Sequence, residues 1–230
     1  MSRRLQSSLG HALAAVAFFG VIAAAHAVPT GYTDKAAFDA AIATLADAQT
    51  VDFESVAVGT TFPSGSGTGG LSFVYAIDGP STLRVSATFG TTSGTHYLGL
   101  DNPDTAFYLG DSVTIDFGRT VRAVGLYVIA GADAEAGDMR LSAGGASVAN
   151  AAVPDRPVSD GQAFYLGLVE SDPALGFTSA TLAGVPSGGA FLAFTADDIT
   201  SAVSAVPEPA GAGLLLAGLL SLAALARLRR

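Results

Sequence analysis

Short apolar stretches alternate with turn-forming residues over most of this chain, and that rhythm constrains the fold more than any other feature. Between residues 51 and 203 the stretches are separated by Gly, Pro, Asp and Ser. Such segments are typical of β-strands joined by tight turns. Because no helical period lies between them, they predict a mostly β fold, an antiparallel β-sandwich that is jelly-roll-like. Predicted strands cover 71–76, 82–89, 96–100, 112–117, 121–129, 138–143, 163–169, 178–183 and 190–195.

One segment before these strands has a helical pattern instead. Residues 33–48 read TDKAAFDAAIATLADA, in which Thr33 or Asp34 can cap the N-terminus of a short helix. Apolar side chains recur at helical spacing along one face, namely Phe38, Ala41, Ile42 and Leu45. After this helix the period changes to two in TVDFES, which predicts the first strand of the sandwich.

The N-terminus has the layout of a secretory signal. Arg3 and Arg4 precede an apolar stretch over residues 9–25, and Ala25-His26-Ala27 supplies small residues at a cleavage site. We therefore predict a signal peptide over residues 1–27, with a helical apolar region, and export of the rest of the chain.

The C-terminus carries a second address-like pattern. Residues 210–226 contain only Ala, Gly, Leu and one Ser, enough for a helix of about 25 Å and a short transmembrane helix. The arginines that follow would each cost about 2.5–3.5 kcal/mol at the bilayer centre, so they stay on the cytoplasmic side. A buried core helix is the alternative, but such helices rarely lack a polar face. The signal comprises Val206, Pro207, Glu208, Pro209, Arg227, Arg229 and Arg230.

Taken together, the two ends resemble the PEP-CTERM class of exported bacterial proteins. The resemblance lies in the signal peptide, Val206-Pro207-Glu208-Pro209, the Gly/Ala/Leu span and the terminal arginines. It implies that residues 206–230 are a sorting segment processed by a membrane enzyme of the exosortase type. It also implies transient anchoring in the inner membrane and association with exopolysaccharide at the cell envelope or in the extracellular matrix.

Charge and composition narrow the partners of the remaining segment, residues 28–205. It holds 6 basic and 19 acidic residues, a formal net charge of −13, which repels nucleic acid and anionic lipid. The chain has no Cys, so thiolate metal sites and disulfides are excluded. A single exported domain with no nucleic-acid partner follows.

The hypothesis that this domain is an enzyme has few candidate catalytic residues to support it. Residues 28–205 contain one His and one Lys, and no Gly-x-Ser-x-Gly nucleophile elbow occurs. Paired carboxylates leave a secreted, glycosidase-like hydrolase as an alternative. Because the chain has no Trp for sugar stacking, we favour a non-enzymatic module.

Carboxylates at the two ends of this domain suggest a metal site. VDFES near the start and FTADDITSA near the end place Glu54 on the first predicted strand and Asp197 and Asp198 on the last. This arrangement resembles jelly-roll carbohydrate-binding modules, which implies a structural Ca²⁺ held by these residues at neighbouring first and last strands. Carboxylate oxygens are hard ligands suited to calcium. A solvated acidic sheet edge is the alternative.

A polar and aromatic cluster offers a place for sugar. Residues 96–111 gather a His, an Asn, two tyrosines and several aspartates around tight turns. His96, Tyr97 and Tyr108 are the predicted glycan contacts, although ordinary strand aromatics would give the same pattern. The sequence thus predicts an exported glycan-binding or structural module of the exopolysaccharide matrix.

Overall fold

The structure, a computed structural model, describes residues 28–185 and 192–204. The predicted signal peptide, the sorting segment and the start of the predicted strand 190–195 lie outside these residues. Within the described ranges no helix is long and apolar enough to cross a membrane.

These residues form one helix and fifteen strands. Helix α1 spans Lys35–Ile42. The strands are β1 (Thr30–Tyr32), β2 (Ala46–Val51), β3 (Thr61–Phe62), β4 (Ser72–Ala76), β5 (Leu83–Ser86), β6 (Tyr97–Leu100), β7 (Phe107–Tyr108), β8 (Ser112–Val121), β9 (Ala123–Ala130), β10 (Met139–Ala143), β11 (Ala146–Ala149), β12 (Arg156–Val158), β13 (Gly161–Val169), β14 (Phe177–Gly184) and β15 (Ala193–Val203).

The strands build two antiparallel sheets, which is consistent with the predicted β-sandwich. Sheet A has ten strands, with the path β1-β13-β9-β15-β6-β5-β3 and with β12, β2 and β7 paired beside it. Sheet B has the order β11-β10-β14-β8-β4. β2 pairs with β15, so the strand before Glu54 and the strand that carries Asp197 are neighbours.

A shared hydrophobic core lies between the sheets because alternate side chains of each strand point inward. In β8, Val113, Ile115 and Phe117 are buried, whereas Asp116 between them is exposed. Strand β9 is buried along its whole length, since α1 covers the outer face of sheet A.

Helix α1 begins as the sequence predicts and ends earlier. Asp34 is the N-cap, and its Oδ1 accepts a hydrogen bond from the Ala37 N–H at 2.7 Å. Phe38 and Ile42 anchor the helix on sheet A. The predicted helical end at 43–48 is wrong, because residues 46–48 belong to β2, which pairs with β15.

Several predicted strands need corrected bounds. The stretch TVDFES is not one strand, since β2 ends at Val51 and Phe53 has a positive φ of 62°. β15 extends to Val203, eight residues beyond the predicted strand 190–195. β1, β3, β7, β11 and β12 were not predicted.

Candidate functional site

The loop between β5 and β6, residues 87–96, is where the predicted carboxylates converge. We call it the β5–β6 loop. Glu54 reaches it from the segment after β2, and Asp197 and Asp198 reach it from β15. These residues are 41 to 106 positions apart in the chain from their partners in the loop. The site therefore exists only in the folded protein.

Asp197 holds the middle of this loop. Its Oδ2 accepts hydrogen bonds from the N–H and hydroxyl of Thr92, both at 2.9 Å, and from the Ser93 N–H at 3.2 Å. Its Oδ1 accepts the Asp198 N–H at 2.8 Å. Asp197 is fully buried, so these donors replace the water that the carboxylate loses on folding.

Asp198 competes with Asp197 for one hydrogen. The Thr92 Oγ1 lies 2.8 Å from Asp198 Oδ2 and 2.9 Å from Asp197 Oδ2. A hydroxyl carries a single hydrogen and can donate to one carboxylate at a time. Burial, and next the charge of Asp198, raise the pKa of Asp197 to about 6.

A β-bulge lets both aspartates face the same loop. Successive side chains of a regular strand point to opposite faces, so Asp197 and Asp198 could not otherwise share Thr92. The register between β15 and β9 shifts between Asp197 and Thr200, and Asp198 has a positive φ of 53°. A non-glycine residue in this region costs about 1–3 kcal/mol, which the surrounding ladder must offset.

Glu54 holds the second half of the loop. Its Oε1 accepts the N–H of Thr95 at 2.7 Å and that of His96. Burial acts to raise the pKa of Glu54, but these two hydrogen bonds and the charge of His96 lower it overall. A Cβ on Gly94 would lie 2.1 Å from the Glu54 carboxyl carbon, so this close approach requires glycine at position 94.

The turn that aims Glu54 is also strained. Phe53 is buried with a φ of 62°, and Asp52 Oδ1 accepts the Glu54 N–H at 3.1 Å in an Asx-turn. The His96 Nδ1 lies 3.2 Å from the Phe53 carbonyl oxygen. This contact uses one ring nitrogen of His96 within the loop.

The predicted glycan contacts occupy different environments. Tyr97 is fully buried, and its hydroxyl lies 2.7 Å from Thr105 Oγ1. The expectation that its ring contacts sugar is therefore corrected, since no face of Tyr97 is accessible. Tyr108 is half-buried and donates to Asp104. His96 is half-buried as well, so these two residues stay predicted contacts.

Sequence reasoning missed two residues that matter here. Thr92 supplies the shared hydroxyl, and Phe89 presents a ring that is 40 % exposed. The run TFGTTSGTH, residues 88–96, carries the available signal, because a glycine-containing stretch with five hydroxyl side chains is a source of N–H and O–H donors.

The three predicted calcium ligands do not form a cage in this arrangement. Glu54 accepts from the N–H groups of Thr95 and His96, whereas Asp197 accepts from those in the middle of the loop. In the part of the chain that the structure describes, no group of three or more His, Asp or Glu side chains is placed to hold a metal. These carboxylates accept hydrogen bonds that hold the β5–β6 loop in place. The calcium site stays a prediction.

Thermal melting of residues 28–205 tests that prediction. If Glu54 and Asp197 or Asp198 bind Ca²⁺, the folded state gains about 2.7 kcal/mol at a hundredfold excess over Kd, and Tm rises. Glu54→Gln and Asp198→Asn should then each reduce the rise, and Mg²⁺ should replace Ca²⁺ poorly. An unchanged Tm between chelator and millimolar calcium would leave the carboxylates as loop anchors alone.

No protein-family model matches this chain, and no curated protein is significantly similar to it.

Proposed function

We propose that this chain is an exported, non-catalytic, jelly-roll-like β-sandwich that acts as a glycan-binding or structural module of the extracellular polysaccharide matrix. Two antiparallel sheets with a shared core support the sandwich part of this proposal. The terminal sequence patterns support export and sorting.

The hydrogen bonds that Glu54 and Asp197 accept are the observation that best supports a non-catalytic role. A glycosidase holds two carboxyl groups toward the scissile bond. Here the oxygens of Glu54 and Asp197 face backbone N–H groups of the β5–β6 loop. These two carboxylates therefore position a surface loop, as in a binding module that presents a preformed surface.

The C-terminal segment is the sorting signal in this proposal. Pro207-Glu208-Pro209 and the span after it would bring the exported chain to an exosortase-type enzyme in the membrane. Processing would then release the sandwich to the cell envelope or the matrix.

Replacing Arg227, Arg229 and Arg230 with Glu tests whether this segment sorts the protein. Acidic residues remove the charges that hold the C-terminus on the cytoplasmic side. We expect the wild-type protein to be shortened and recovered with the polysaccharide fraction of the matrix. The variant should be mislocalised or remain unprocessed, as measured by immunoblotting of cell fractions.

Replacing the same arginines with Lys is the matched control, since positive charge is kept. This variant should sort as the wild type does. If the Glu variant reaches the matrix with unchanged mass and amount, the sorting proposal is wrong. If wild-type protein never associates with the matrix fraction, the matrix function is wrong.

A further inference from the structure

A small cavity lies where β9 ends and β15 begins. Its volume is about 170 Å³, and it opens beside the β5–β6 loop. Its principal lining residues are Phe89, Ala106, Ile129, Asp160, Phe194 and Thr195. A second, more polar concavity of about 400 Å³ shares Phe89 and Asp160 with it. We call the two together the Phe89 cleft.

Thr195 contributes an unsatisfied hydroxyl to this cleft. The residue is only 3 % exposed, and its Oγ1 has no hydrogen-bond partner among residues 28–185 and 192–204. Buried hydroxyls are normally hydrogen-bonded, and an exception needs an explanation. Thr195 lines the cavity, and its Oγ1 is itself covered, so a rotation of this side chain on binding would let a hydroxyl group of a ligand supply the missing partner.

Phe89 contributes an aromatic ring that is exposed and held in place. Its ring stacks on Tyr97 with 6.2 Å between centroids and an angle of 25° between planes. Tyr97 is itself buried and hydrogen-bonded to Thr105. Little ordering of the Phe89 ring is therefore needed when a ligand stacks on it.

Asp160 contributes an acceptor on the boundary between the two concavities. Its Oδ1 accepts the Gly90 N–H at 2.6 Å, which ties the β5–β6 loop to the turn before β13. The Ser159 hydroxyl lies 3.3 Å from the same oxygen. Within the described ranges no donor reaches Oδ2, so this oxygen can accept from a ligand hydroxyl.

These groups define the chemistry of the ligand. A stacking ring needs an apolar face, whereas Asp160 and Thr195 need hydroxyl groups at its edge. The Asp160 carboxylate and the net charge of −13 on residues 28–205 disfavour an anion. The cavity is smaller than the roughly 300–1,000 Å³ of pockets for drug-sized ligands, which suits a single small ring.

We propose that the smaller cavity of the Phe89 cleft binds one neutral pyranose unit, with Phe89 on its C–H face and with Asp160 and Thr195 at its hydroxyl groups. This inference rests on the proposed function, since it names the site and sugar class through which the module holds the matrix. The polar concavity lined by Thr88, Thr91 and Thr95 receives the neighbouring sugar of the polymer.

Affinity gel electrophoresis of residues 28–205 tests the cleft. Both hydrophobic cores are built from residues between 32 and 203, so this segment carries its own cores. The probes are dextran, galactomannan, polysaccharide isolated from the matrix of the producing cells, and anionic alginate. We expect retardation by the matrix polysaccharide and by at least one neutral probe, but not by alginate.

Two variants locate the binding. Phe89→Ala should raise Kd at least tenfold, because the stacking face is lost. Thr195→Val keeps the shape of the side chain and removes the hydroxyl, so it should raise Kd severalfold while Tm stays unchanged or rises. Val74→Ala is the matched control, since Val74 is 53 % exposed on sheet B and does not line the cleft. It should leave Kd unchanged.

Each outcome separates the two proposals. Retardation by the matrix polysaccharide that is equal in wild type, Phe89→Ala and Thr195→Val would overturn the cleft and leave the matrix function standing. Retardation by alginate alone would overturn the neutral sugar class. If no polysaccharide retards the protein, the glycan-binding role fails together with the cleft, and the matrix fractionation decides the structural role.

Discussion

Replacing Phe38 with alanine should lower the free energy of unfolding by about 3–5 kcal/mol. Phe38 is fully buried and anchors α1 on the outer face of sheet A. Its ring packs beside Tyr165, with 5.3 Å between centroids. Urea denaturation of residues 28–205 measures the loss. Asp39→Ala in the same helix is the control, since it removes an exposed ion pair with Lys35 and should cost less than about 1 kcal/mol.

Two glycines lie beneath the Phe38 ring and allow a second test of this packing. Gly125 and Gly167 are opposite each other in β9 and β13, and a Cβ on Gly167 would lie 2.5 Å from Phe38 Cδ2. Gly167→Ala should therefore cost about 1–3 kcal/mol through overpacking. In a Phe38→Ala background most of that cost should disappear. Additive effects of the two substitutions would contradict the packing described here.

Stability at the β5–β6 loop should fall as pH rises. The pKa of Asp197 is about 6 in the folded protein, compared with 3.8 for the free group. The folded state therefore keeps a proton that the unfolded chain releases between these values. The contribution is fully present below pH 3.8 and is lost as pH rises through 6. At about 1.4 kcal/mol for each pKa unit, it amounts to roughly 3 kcal/mol.

Urea denaturation from pH 3.5 to 7.5 in the presence of chelator measures this change. Because other carboxylates also titrate, the quantity to compare is the stability of wild type minus that of Asp197→Asn. This difference should fall by roughly 3 kcal/mol over the range. The exposed Asp133→Asn variant should follow the wild type at every pH. A difference that is flat or rises with pH would show that folding does not raise the pKa of Asp197.

Alternation of apolar residues predicted strands well where each strand has one buried face. The stretches 71–76, 112–117 and 138–143 contain β4, most of β8 and β10. Two- and three-residue strands such as β3 and β12 carry no measurable period, which is why they were missed. Residues 46–48 are compatible with a helix, but pairing with β15 places them in β2.

The carboxylates of the candidate site were predicted from the sequence, but Thr92 and the geometry that joins them were not. Glu54 and Asp197 were singled out because their strands were expected to be neighbours, and β2 does pair with β15. That Thr92 joins Asp197 to Asp198 depends on a bulge and on a positive φ at Asp198. Neither feature has a period or composition that a sequence pattern reveals.

The sequence alone determined the mostly β fold class, the net charge and the residue types that could bind a ligand or metal. Each follows from local properties, since side-chain alternation comes from strand geometry and net charge from composition. The tertiary structure decided which aromatic ring is accessible, because Phe89 and Tyr97 both belong to predicted strands, 82–89 and 96–100, but differ in exposure. It also decided what the carboxylates do. Contacts across 41 to 106 residues depend on strand register, and register is set by packing of the whole core.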